Sequence, residues 1–265
     1  RSISELSASG LNGRGRATVA WMAQLMVASV FLCGLRRPRR WPLAMATRTA
    51  WASFAKFDNL ALTYDDAAKL ERAAGVAAAV RARPWFRPMA SGLDFGAGTG
   101  LLTFELAPAF EQVTAFDVSQ GMLDVLRTKA EATDVKVQTT TSLDAMGSFD
   151  LIFSMLAFHH IRDVPADLRR LSSHLAPGGR LLVVDLLQTP NVRRFHKPTE
   201  EVGAHYEHDG FSAKTVQSWF DSGFDEFDWA EVPIRKALDP GWRAVGDFDA
   251  EEEYTLFLAS ARLRE

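Results

Sequence analysis

The chain has 265 residues, 47% of them hydrophobic and 24% charged, and a formal net charge of −3. This balance excludes a disordered or fibrous chain, and a body of this length can bury a full core. The lone cysteine, Cys33, excludes an internal disulfide and a cysteine zinc site.

The charge is unevenly placed. Residues 1–57 hold nine basic residues and a single acid, Glu5, whereas the remaining 208 carry 21 basic and 32 acidic residues. An acidic body repels phosphate backbones, so no nucleic-acid partner is expected. Residues 17–35 carry no charge and run into Arg36, Arg37, Arg39 and Arg40. Three readings stay open for residues 1–57: a non-native extension, an Arg-rich organelle transit segment, or a membrane anchor. They correspond to a cytoplasmic, an organellar and a membrane-anchored protein. Residues 58–265 read as the functional domain.

In chain order, Asp65–Arg83 is Ala-rich with helical spacing and stops at Pro84. Ser91–Phe95 is a short strand that ends in glycines. Leu101–Ala109 reads as a helix and Gln112–Phe116 as a strand. Ser119–Ala130 is a helix with Ser119 as its cap. Val135–Thr140 and Phe149–Met155 are strands, the second apolar enough to be buried on both faces. Pro165–Leu175 is a helix, Pro177–Gly179 a turn, and Arg180–Asp185 a strand. Ala213–Ser222 is a late helix, followed by strands at Phe227–Val232 and Tyr254–Ala261. Strands separated by helices of this length predict βαβ units and a parallel, doubly wound α/β sheet.

The motif LDFGAGTG, Leu93–Gly100, lies between a strand and a helix. Gly96, Gly98 and Gly100 allow a tight turn and close approach of a ligand to the backbone. Asp117 closes the next strand, 19 residues past Gly98. A carboxylate there can grip a ribose diol. A dinucleotide loop needs its third glycine five residues after the first, and Leu101 occupies that position. Asp94, just ahead of the loop, suits an ammonium group better than a pyrophosphate. The favoured ligand therefore has an adenosine end and an amino-acid end.

LDFGAGTG, FDVS at Phe116–Ser119, FDLIFSMLAFHHI at Phe149–Ile161 and LAPGGRLLVVD at Leu175–Asp185 together resemble the ordered signature of class I S-adenosylmethionine (SAM) dependent methyltransferases. The likeness is to the small-molecule branch that includes ubiquinone/menaquinone-biosynthesis-like enzymes (methyltransferase type 11/12). It implies a Rossmann-like sheet of seven strands, the last antiparallel, with helices on both faces. It also implies SAM as cofactor and methyl transfer to a small-molecule acceptor. Asp94, Gly96, Ala97, Gly98 and Gly100 would line the methionine and ribose part of SAM. Asp117 would hold the ribose, Val118 and Met122 would face the adenine, and Asp144 would stand near the adenine amino group. Ser154 and Met155 would contact the methionine end.

His159 and His160 follow the fourth strand, and a neutral imidazole can take a proton from an attacking atom, so they are the catalytic candidates. Against this, one of the pair can simply pack. A second polar cluster, Phe195–Phe211, contains His205 and His208, three residues apart. It reads as a substrate lid, a solvated loop or a metal pair on one helix face; no metal is expected, and these two are the substrate-contact candidates. Trp219, Phe220 and Phe224 read as packing residues. A SAM-binding module without catalysis is one alternative. A nicotinamide-dependent reductase is another, disfavoured by Leu101 and by the lack of a Tyr-x-x-x-Lys pair.

Overall fold

The computed structural model describes residues 54–133, 135–144 and 146–265. The expectations for residues 1–53 lie outside them. Helix α1 (Phe54–Leu60) runs through the expected boundary at residues 57 and 58, and a 3₁₀ turn, Ala61–Thr63, follows it. Helix α2 (Ala67–Arg81) is capped by Asp66, whose side chain accepts from the Lys69 N–H. Strand β1 (Met89–Phe95) enters the glycine loop, and α3 (Leu101–Leu106) leaves it.

The remaining elements follow the βαβ pattern. They are β2 (Phe110–Phe116), α4 (Gln120–Thr133), β3 (Val137–Thr140), β4 (Phe149–Met155), α5 (Val164–Ser172) and β5 (Leu175–Leu186). Then come α6 (Ala213–Ser218), β6 (Phe224–Ala237), α7 (Pro240–Arg243) and β7 (Glu251–Leu263). The seven strands form one sheet in the order β3-β2-β1-β4-β5-β7-β6. The first five are parallel, and β7 is antiparallel to both of its neighbours.

Apolar residues of β1, β4 and β5 feed two large buried clusters. Phe95, Ile152 and Val183 lie in one; Leu151, Phe153 and Val184 lie in the other. Alternate residues of one strand go to different clusters, as the pleat requires of a sheet covered on both faces. Chain order reverses between β1 and β4, and a doubly wound sheet opens its crevice at the carboxyl ends of such strands.

Several element bounds differ from the sequence reading. The fifth helix stops at Ser172, and Leu175 already pairs with Phe149 in the sheet. Residues 176–179 bulge out of β5 before Arg180 rejoins opposite Leu151. Gly179 permits this, since a Cβ there would lie 2.8 Å from the carbonyl oxygens of Ala176 and Phe149. Helix α6 ends four residues early, and Gly223 turns the chain at φ +83°. Strands β6 and β7 both outrun their expected bounds. Opposite charges face each other along them, Arg235 against Glu253 and Lys236 against Glu252. Among the described residues, no helix is long and apolar enough to cross a membrane.

Candidate cofactor and acceptor cleft

A cleft with an empty volume of about 820 Å³, its open mouth included, lies over the carboxyl ends of β1, β2 and β4. One wall is the glycine loop. Gly96 and Gly98 have φ of +75° and +56°, a region that glycine reaches without strain. A Cβ on Gly98 would meet nothing within 4 Å, so the space above this residue is open.

Asp117 tightens the loop. One of its oxygens accepts from Gly98 N–H at 2.7 Å and the other from Ser119 N–H at 2.8 Å. Burial pushes its pKa up against those two bonds, and its carboxylate keeps lone pairs that can face a ligand. Asp94 is also buried and accepts from Thr103 Oγ1 at 2.6 Å. Burial, with Asp117 nearby, pushes its pKa up to about 7. Two strained acids in one cleft create a demand for a positive or donor-rich ligand. Val118, Met122 and Met155 supply apolar lining beside them.

Leu156 closes β4 at φ +56°, a rare conformation for a bulky residue, held by its N–H on the Val184 carbonyl at 2.8 Å. It lines the cleft with Ala157 and His160. His160 meets Phe57 edge to face, and its Nδ1 is buried with no partner. Burial, with His159 and Lys56 alongside, holds its pKa well below the usual histidine value, so the ring is neutral at pH 7.

The far wall comes from the chain ahead of β1. Phe57, Tyr64, Lys69 and Arg72 line it. Asp58 fastens α1 to the start of α4, accepting from Ser119 Oγ at 2.5 Å and Gly121 N–H at 2.9 Å. Asp65 accepts from Thr99 Oγ1 of the glycine loop and pairs with Lys129 at 2.9 Å. None of this wall was read from the sequence. Its elements are short, and its aromatic and basic residues gain meaning only when the fold lays them over the loop.

Six expected site residues lie elsewhere. Gly100 is needed for packing: a Cβ there would come within 2.8 Å of Leu126 and Phe104. Ser154 is buried and donates to the Phe95 carbonyl at 2.7 Å, which ties β4 to β1. Asp144 is exposed, pairs with Arg170 at 3.1 Å, and lines a separate hollow with Thr139 and Thr140. His159 is buried with Nδ1 at 2.7 Å from Asp185 Oδ1, and its carbonyl accepts from Glu207 and His208 N–H.

His205 sits on a turn and His208 on irregular chain, so they share no helix face. His208 Nε2 bonds the Ile161 carbonyl at 2.9 Å, and His205 Nδ1 accepts from Glu201 N–H. His208 holds the segment after β5 against the residues that follow β4, and His205 braces a turn within that segment. Among the described residues, no group of three or more histidine, cysteine or acidic side chains could hold a metal ion.

Residues 93–183 match the family model described as a methyltransferase domain. An uncharacterized methyltransferase of Schizosaccharomyces pombe is 31% identical over 153 residues, which are 51% of this chain and 53% of that protein. A malonyl-[acyl-carrier protein] O-methyltransferase of Methylococcus capsulatus is 33% identical over 153 residues, 56% of this chain and 55% of that one. The chain thus spans about half the length of these curated relatives. Among solved structures, the N-methyltransferase NodS of Bradyrhizobium japonicum in complex with S-adenosylhomocysteine (SAH) aligns at TM-score 0.58 and 17% identity. The alignment covers 80% of this chain and 99% of NodS. That likeness is one of fold.

Proposed function

We propose that this chain, whose residues 93–183 match a methyltransferase domain, is a class I SAM-dependent methyltransferase that transfers a methyl group from SAM to a small-molecule acceptor. The carrying observation is the pairing of Asp117 with the Gly98 N–H at 2.7 Å beneath open space. It brings a sugar-binding carboxylate and a ligand-permissive loop together at one sheet edge. The fit is supported by the space over Gly98, the two buried acids and the apolar side chains beside them.

Bound SAM supplies a methyl group on positive sulfur, open to in-line displacement. The chain's residues do the rest. Asp117 holds the ribose hydroxyls. Asp94 takes the ammonium group, which restores its ionised form. Val118 and Met122 cover the adenine. The loop holds the donor still, so that the acceptor meets it at near-attack distance, the larger part of catalysis in such a displacement. Burial keeps the His160 ring neutral at pH 7, and in the tautomer with its proton on Nε2 the unpartnered Nδ1 accepts a hydrogen bond from the acceptor. His159 is a positioning residue, fixed by Asp185. Residues 58–265 with the rest of α1 are the proposed catalytic domain.

Calorimetric titration tests the reading. SAH binds and NAD does not; binding of NAD with no response to SAH overturns it.

A further inference from the structure

A column of rings reaches from α7 to the cleft. The Arg193 guanidinium rests 5.1 Å from the centre of the Trp242 ring and 5.7 Å from that of Tyr206. Tyr206 is fully buried and stacks on His196, with ring centres 3.7 Å apart and planes within 8°. His196 packs on His159 at 5.3 Å, and His159 packs at 4.2 Å on His160, which lines the cleft. Trp242 Nε1 also donates to the His196 carbonyl at 2.7 Å. Through these rings the segment between β5 and α6 braces the 3₁₀ turn Phe158–His160. The same segment donates to the His159 carbonyl from Glu207 N–H at 2.8 Å and from His208 N–H at 3.1 Å, and its Glu200 pairs with Lys56 of α1.

His196 is the joint of this column that acid can break. It is buried, and its Nε2 has no hydrogen-bond partner. Glu200 Oε2 stands 3.6 Å from its Nδ1, beyond a hydrogen bond, while the other Glu200 oxygen is bonded to Lys56. Facing the ring are His159 and His160 from the turn after β4, Lys236 from β6, and Arg193. The acids nearby are engaged: Asp185 holds His159, Asp209 accepts from Tyr206, and Asp239 acts with Glu200 on Lys236. Burial, followed by His159, His160, Lys236 and Arg193, holds the His196 pKa far below the ordinary histidine value. In the column the ring therefore stays neutral; released into water, it takes a proton below about pH 6.5. The joint is at full strength above that pH and weakens as pH falls, by about 30-fold between pH 7.5 and 5.0 for one imidazole. Glu200 keeps its charge in this window, because burial raises its carboxyl but Lys56 holds it below its ordinary value.

We propose that His196 is a positioning residue and an acid-sensitive latch: its ring locks the segment between β5 and α6 against His159 and His160, and protonation of that ring releases the segment. The two histidines beside the cleft then lose the rings packed against them. The bearing of the latch on the acceptor rests on the methyltransferase reading; the latch itself does not.

The test uses the full chain and reads amide hydrogen exchange, corrected for the intrinsic effect of pH. The Glu207 and His208 amides, bonded to the His159 carbonyl, report the latch, and the amides of Ile152 in β4 and Leu182 in β5 report global unfolding. Between pH 7.5 and 5.0 the wild-type latch amides lose protection at least tenfold while the strand amides hold theirs. In His196→Phe, whose ring stacks but takes no proton, the loss is less than threefold. An equal loss in this variant assigns the acid response to other groups, such as His205 or His208 on the same segment, and overturns the proposal. A wild-type latch that stays protected at pH 5.0, or that opens only together with the strands, overturns it as well. Nitrogen NMR of the wild-type histidines decides the question even if the variant does not fold. The His196 ring stays neutral while the latch amides are protected and gains its proton as they open; a ring that gains its proton with those amides still protected overturns the latch. Calorimetry with SAH at pH 7.5 is read separately: failure to bind overturns the methyltransferase reading and leaves the latch standing.

Discussion

At the scale of single residues, the cleft is set by two acids with different duties. Asp117 has both oxygens engaged by backbone N–H groups, so Asp117→Ala should loosen the loop and remove the proposed sugar contact together. Charge-assisted bonds of this kind contribute about 1.5–3 kcal/mol, and SAH affinity in this variant should fall tenfold or more by calorimetry. Asp94 carries the pH dependence. Its carboxyl is pushed up to about 7, so the ionised form proposed to take the ammonium is lost as pH falls through neutrality. SAH should bind about tenfold more weakly at pH 6 than at pH 8, and Asp94→Asn should flatten that profile. Stability runs the other way. A folded carboxyl pKa raised above its unfolded value binds protons more tightly in the folded state, so ligand-free stability drops as pH climbs from about 4 to 7. At pH 8, Asp94→Asn should therefore melt above the wild type in a thermal scan while binding SAH poorly.

At the scale of elements, one loop holds two glycines with separate reasons. Gly98 borders open space, so Gly98→Ala should fold with a backbone penalty of about 1–2 kcal/mol and lose SAH affinity because its methyl group enters the ligand's space. Gly100 touches Leu126 and Phe104, so Gly100→Ala should cost about 2–4 kcal/mol in denaturant unfolding through overpacking and strain. Equal stability loss in the two variants would contradict this division. Helix α1 depends on Asp58 for its seat on α4. Asp58→Ala should speed SAH release in stopped-flow measurements, with a stability loss of about 1 kcal/mol.

At the scale of the molecule, the sheet is the rigid frame and the cleft is a feature of its edge. Phe153 and Phe257 are fully buried, one in each of the two clusters that cover the sheet. Phe257→Ala should lower unfolding free energy by about 3–5 kcal/mol through the cavity it leaves, with SAH affinity unchanged in the folded fraction. The frame also explains the late strands. β6 is interrupted by charged residues and bulges between Asp225 and Asp228, yet it forms because β7 offers a long antiparallel partner with complementary charges.

The sequence by itself determined the βαβ order, the glycine loop and Asp117, because strand burial and glycine-dependent turns are written locally in residue type and spacing. It could not separate Gly98 from Gly100, since both satisfy the same turn and differ only in what stands opposite. It set His159 beside His160 as equals. The fold ties one to Asp185 and leaves the other facing the cleft. Asp144 was near enough in sequence to be a candidate, but the chain after β3 turns it to Arg170 and solvent. The wall of Phe57, Tyr64, Lys69 and Arg72 was decided by tertiary structure alone, because its parts come from segments distant in sequence from the loop they cover. Which side chains share one cavity depends on chain crossings that no local pattern records.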